Sequence, residues 1–214
     1  FIGESPSEPL LDLLGVEYFI GRPGGVVPQA QLVAGENLPI YRRGSAHPRA
    51  FFCSQTVVVE DADKAFKLLQ SPTFDPTRQA IVYAPLASQL GRDENATVNL
   101  ETYAPNQIKL RLETSQPQLL VLTDGWCEGW TAWLDGKEEK IHQVHHLFRG
   151  VVVGPGQHEL VFRFIPPFWT VSWVLFWSSV LVLGGLNGFR RGRQIRSGKL
   201  ARGHPSASTQ PPGH

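Results

Sequence analysis

No charged residue occurs from Phe164 through Phe189, and no other feature constrains the chain as strongly. The central run, residues 168–189, would extend about 33 Å as a helix at about 1.5 Å per residue. That length matches a hydrocarbon core of about 30 Å. Pro166 and Pro167 stand before it, where a helix can begin but cannot continue backwards. Trp169 and Trp173 lie near that end, where an indole keeps its N–H among headgroups. Arg190, Arg191 and Arg193 close the other end, followed by Arg196 and Lys199. The positive-inside rule then predicts one transmembrane helix over residues 167–189. Residues 1–166 would lie outside the cytoplasmic membrane and the basic, disordered tail 190–214 inside the cell, with the lipid bilayer as partner. A buried helix of a globular core is the bland alternative, and a charge-free run capped by arginines argues against it.

The net charge of +1 conceals an asymmetry. Residues 1–167 carry 14 Lys/Arg against 19 Asp/Glu, whereas the tail is basic and has no acid. Positive charge confined to one tail is a topology signal rather than a nucleic-acid footprint, so no nucleic-acid partner is expected. The sequence contains no Met and opens at Phe1, so a fragment or processed piece is expected. Cys53 and Cys127 are too few for a disulfide scaffold. Two small buried residues are the ordinary reading, and a single disulfide is open in an oxidising compartment.

Before the apolar run the pattern reads mainly β. Residues 1–50 form a connecting segment, with a short helix over 10–14 capped by Ser7 and a strand over 16–21. Residues 22–50 are rich in Gly and Pro and show little periodicity. A strand follows over 51–59, then a helix over 62–70 with Asp61 as its N-cap. From residue 80 the period is two. Ile108, Leu110 and Leu112 alternate with Lys109, Arg111 and Glu113, the mark of a half-buried strand. Residues 97–103 pair with it through Ala104-Pro105-Asn106. Residues 119–124 are continuously apolar up to Asp124, suited to a central strand. Asp135-Gly136 joins 130–134 to 137–144 as a hairpin, and 148–153 precedes 158–165. The expected fold is an antiparallel β-sandwich over residues 51–166, with one or two short helices.

Trp126, Trp130 and Trp133 crowd together near Asp124 and are the candidate glycan contacts. A flat indole suits the apolar face of a pyranose, although a hydrophobic plug closing one end of the sandwich is the favoured reading of the cluster. Trp130 and Trp133 have opposite parity, so only one of them can face inward on a regular strand. Asp124, Glu128 and Asp135 could suggest paired carboxylates, but Asp124 and Asp135 have turn explanations. No catalytic residue is expected within the chain. His142, His145 and His146 do not converge on a strand, where His142 and His146 would stand about 13 Å apart, so neither a metal nor a cofactor is expected. Asn95-Ala96-Thr97 is a sequon with meaning only in a eukaryotic secretory pathway.

Several blocks together resemble the YfhO-like bacterial membrane proteins: residues 10–20, 48–52, 103–106, 120–136 and 148–167. The match departs from the family pattern at Cys127, where an aromatic residue is usual. The resemblance implies a polytopic protein whose upstream transmembrane helices would be partners of this C-terminal region. It also implies likeness to GT-C glycosyltransferases, which move sugar from a polyprenyl-phosphate carrier to a cell-envelope glycan. In that class the catalytic acid lies in an early outer loop, and no residue here matches it. The expectation is a non-catalytic C-terminal domain of such an enzyme, with polyprenyl-phosphate sugar or cell-envelope glycan as its ligand. A membrane-anchored glycan-binding module and a purely structural sandwich are the alternatives.

Overall fold

The computed structural model describes residues 8–21, 30–35, 37–71 and 73–200. For residues 8, 9 and 186–200 it describes the backbone alone. Ser7, the expected helix cap, and the tail from residue 201 lie outside the described residues. The chain divides into two units, Phe1–Ile165 and Pro166–His214.

The first unit runs α1 (Glu8–Leu13), β1 (Tyr18–Ile20), β2 (Ala30–Ala34), β3 (Ile40–Arg43), β4 (Ala50–Cys53) and β5 (Gln55–Val58). It continues with α2 (Ala62–Leu69), β6 (Gln79–Val82), β7 (Thr97–Ala104), β8 (Gln107–Thr114) and β9 (Gln118–Gly125). The last strands are β10 (Trp130–Leu134), β11 (Lys137–Glu139), β12 (His142–Val144), β13 (Phe148–Val153) and β14 (Gly156–Phe164). They form a three-stranded sheet, a five-stranded sheet ordered β11-β10-β14-β8-β7, and a six-stranded sheet ordered β4-β9-β13-β12-β6-β5.

The two larger sheets share one core. Ile108, Leu110 and Leu112 of β8, with Leu160 and Phe162 of β14, meet Leu120, Leu122, Val151 and Val153 across it. β8 shows the alternation of a strand with one wet face, since its even-numbered residues are buried and its odd ones are not. β9 is different. Its residues Gln118–Leu122 are all buried, because Leu119 and Val121 point to a second core on the other face of the same sheet. That second core contains Leu69 and Ala65 of α2, Phe74, and Leu13 of α1. A strand covered on both faces loses its polar alternation, which is why residues 119–124 read as a continuous apolar run. Asp61 caps α2 as expected, its carboxylate accepting from the Lys64 N–H at 2.7 Å.

Several expectations need correction. The strand expected over 51–59 is two strands broken at Ser54, because the Ser54 and Gln55 N–H groups both turn to the Arg78 carbonyl. β5 then pairs with β6 in parallel, so the six-stranded sheet is mixed rather than antiparallel. The strand expected over 137–144 breaks between β11 and β12. Strands β2 and β3 lie in the Gly/Pro-rich stretch that showed little periodicity, and their paired sheet carries mostly exposed or half-buried residues.

The transmembrane helix is also overturned. Among the described residues no helix is long and apolar enough to cross a membrane. Helix α3 (Trp169–Leu200) begins close to the expected place, but Ser172, Ser178 and Ser179 interrupt its apolar side, and Gly184, Gly185 and Asn187 follow. It then continues without a break through Arg190, Arg191 and Arg193, so the arginines do not mark a helix end. Freedom from charge is not the same as apolarity, since hydroxyls, amides and glycine backbone reduce the gain on transfer to lipid. The division into outer and inner compartments rested on that span and falls with it. Trp169 and Trp173, expected as membrane anchors, touch edge to face with ring centroids 5.9 Å apart, and Trp173 stacks on Trp177 at 6.3 Å.

Candidate functional site

Strand parity creates the most unusual site in the first unit. The row Leu120, Leu122, Asp124 on β9 and the row Val153, Val151, Arg149 on β13 both face the space between the sheets. Each row is apolar in the middle of the sheet and ends in a charge at the same edge. A register shift between Phe148 and Arg149 lets the last residues of β9 and the first of β13 meet there. Arg149 is buried, with a relative exposure of 2%. Its Nη2 donates to Asp124 Oδ2 at 3.2 Å, and its guanidinium carbon lies 3.9 Å from the Trp130 ring centroid and 5.4 Å from that of Phe162. A buried cation is costly unless it is paired, and here one carboxylate and two aromatic faces offset that cost. Burial pulls the Arg149 pKa down while Asp124 pulls it up, and the group remains a cation at neutral pH. Its Nε and Nη1 have no hydrogen-bond partner among the described residues.

Two further side chains complete the cluster. Thr123 anchors the neighbouring strand, its N–H donating to the Arg49 carbonyl at 2.8 Å. Arg49 Nη1 donates to Asp124 Oδ1 at 2.9 Å and to the Tyr103 hydroxyl at 3.0 Å. Tyr103 donates in turn to Asp124 Oδ1 at 3.0 Å, and Arg49 lies over the Tyr103 ring at 4.7 Å. Burial first, then the hydrogen bond to Asp124, raises the Tyr103 pKa, so the phenol stays protonated at neutral pH. Beside these groups opens a cleft of about 380 Å³, lined by Tyr103, Pro105, Ile108, Asp124, Trp130 and Arg149. It lies at the edge where the β7–β8 turn, the end of β9 and the start of β10 come together.

The cleft unites two of the residues expected from sequence, Asp124 and Trp130. Asp124 accepts from three donors, which makes it the cluster's counter-ion rather than a free acid. Trp130 packs against the inter-sheet core, as opposite parity requires of one member of the pair. Trp133 takes the other face, its Nε1 donating to Thr131 Oγ1 at 3.2 Å. Trp126 is 43% exposed and does not line the cleft. Arg49, Tyr103 and Arg149 were not singled out. Arg149 could have been, because it occupies an inward position of an otherwise apolar strand. Arg49 and Tyr103 carry no such signal.

The other candidates separate. Asp135 opens its hairpin at φ 50, with Gly136 at φ 79, and its carboxylate accepts the Glu159 N–H at 2.8 Å and meets His158 Nδ1 at 2.6 Å. His145 and His146 follow β12 at φ 51 and 69 instead of continuing the strand, which replaces the strand spacing assumed for them. His145 sits between Phe74 and Phe148, and His146 bonds to Tyr83. Among the described residues no group of three metal-ligating side chains comes together. Both cysteines are free, Cys53 buried and Cys127 exposed. Cys53 Sγ contacts the Pro76 carbonyl at 3.5 Å, and burial drives its pKa far up. A larger hollow of about 520 Å³ flanks β4. Its cations are already satisfied, Arg92 by Glu94 at 2.8 Å and Arg78 by Asp75 at 3.5 Å, so the smaller cleft is the stronger site.

No curated protein and no solved structure matches the chain. Residues 80–176 match a family model described as bacterial membrane protein YfhO. The matched span contains β7 through β14 and all but the first residue of β6, hence every strand of the cleft except that next to Arg49. Over those residues the chain is YfhO-like, akin to a family of bacterial membrane proteins.

Proposed function

We propose that this chain forms a glycan-contacting domain of a membrane-associated, glycosyltransferase-like protein, with the transfer chemistry carried outside residues 1–214. The observation behind this reading is the cleft in which the Trp130 indole stands beside the Tyr103 hydroxyl and the Asp124–Arg149 pair. A pyranose has apolar C–H faces and a rim of hydroxyls, so it is complemented by an indole flanked by polar groups. The Arg149 guanidinium against the ring holds the indole in place before any ligand arrives, which lowers the entropy cost of binding. The ligand in this reading is a cell-envelope glycan or the sugar of a polyprenyl-phosphate carrier.

Glycan-array binding of the chain tests it. Trp130→Leu keeps apolar volume beside Phe164, whose ring centroid is 5.2 Å away, and removes the stacking surface. Loss of one aromatic stack of about 1.4 kcal/mol corresponds to about tenfold weaker binding. Tyr103→Phe removes one hydroxyl and weakens binding less, while Trp126→Ala leaves it unchanged. Failure of the folded chain to bind any glycan, or equal binding by Trp130→Leu, defeats the reading. Sugar transfer from a polyprenyl-phosphate donor by residues 1–214 alone would contradict the assignment of chemistry elsewhere.

A further inference from the structure

The charges around the cleft do not cancel. Arg49 and Arg149 share one carboxylate, Asp124, and the remaining polar group, Tyr103, is a neutral phenol. One positive charge is therefore left over beside a concave surface. Arg149 is 2% exposed, and its Nε and Nη1 lack a hydrogen-bond partner among the described residues although the side chain lines the cleft. Purely structural burial favours a fully paired guanidinium, because every unmet donor costs free energy in a low-dielectric site. Arg49, in contrast, is half-exposed, with 49% of its side chain accessible, and it is tied to the cleft through its bonds to Tyr103 and Asp124, which line it.

We infer that the cleft takes a saccharide bearing an anionic substituent, carboxylate or phosphate, whose charge is received by Arg49 and Arg149. The inference rests on the saccharide reading above and narrows it. Guanidinium groups suit both anions, since their planar donors match paired oxygens. Trp130 and Tyr103 would engage the sugar ring while the two arginines select the acidic group. One charge-assisted contact corresponds to about tenfold in affinity.

The test is calorimetric titration of the chain with three matched glycans: a neutral hexose oligosaccharide, the same oligosaccharide ending in a uronate, and the same ending in a hexose 6-phosphate. The expected result is about tenfold tighter binding of one or both acidic glycans, with the advantage shrinking as salt is raised. The uronate and phosphate arms identify the source of the anion. Arg49→Gln removes one guanidinium from a half-exposed position, and the acid-to-neutral preference then falls about tenfold while circular dichroism is unchanged. Equal affinity for all three glycans overturns the inference and leaves the saccharide reading standing. Absence of binding to any of them removes both. Inorganic phosphate bound as tightly as the phosphorylated glycan also overturns it, because the sugar would then contribute nothing.

Discussion

Acid should destabilise this domain through one histidine in particular. His145 has no exposed surface, and neither ring nitrogen has a hydrogen-bond partner among the described residues. Its ring meets Phe74 edge-on at 5.8 Å and Phe148 at 6.4 Å. Burial, with a smaller contribution from nearby His47, lowers its pKa from 6.5 to about 3. In the unfolded chain the same imidazole takes up a proton near pH 6.5, whereas in the native state it does so only near pH 3. The unfolded state therefore binds more protons between these values. Stability that is complete above about pH 6.5 is lost as the pH falls toward 3, with a limiting slope of about 1.4 kcal/mol per pH unit. Between pH 7 and pH 5 the loss from this one group is about 2 kcal/mol. His47 and His142 also have lowered pKa values, mainly through burial, and act in the same direction. His145→Phe isolates the term, because it keeps an aromatic ring against Phe74 and Phe148 and leaves the other histidines in place. Urea unfolding followed by circular dichroism at the two pH values gives the comparison. The parent chain should lose about 2 kcal/mol more than the variant over that interval. The positive φ of 51 suits Phe less well than His, but that offset is constant with pH. Parallel pH profiles for parent and variant would refute the argument.

Other perturbations follow from the packing. Asp124→Asn removes the carboxylate that faces buried Arg149, and leaving that charge uncompensated should cost about 3 kcal/mol in urea unfolding. An effect below about 1 kcal/mol would mean that the aromatic faces alone suffice for the guanidinium. Gly129→Ala places a Cβ 2.6 Å from the Ile165 carbonyl at φ 101. It should destabilise by about 2 kcal/mol, and an unchanged melting temperature would show that the loop shifts freely.

Parts of this protein could be read directly. The alternation of Ile108, Leu110 and Leu112 with Lys109, Arg111 and Glu113 places β8 at the boundary between core and solvent, and the structure keeps that pattern. Asp135-Gly136 sets its hairpin with two consecutive left-handed residues, and Asp61 caps α2 through a contact three residues away. These features depend on neighbours in the chain, so local sequence carries them. The C-terminal helix shows where such reading overreaches. Its charge-free run was legible, but its serines, glycines and asparagine, and its continuation into the arginines, changed what the helix can do.

What sequence alone determined is the mainly β character, the principal turns and the rule that only one of Trp130 and Trp133 faces inward. What only tertiary structure decided is the cleft and the charge cluster beside it. Arg49, Tyr103, Asp124, Trp130 and Arg149 come from separate strands and turns, and two sheets must face each other before they meet. The physical reason is that strand periodicity tells each side chain which face to take, while long-range pairing and register decide what stands opposite it.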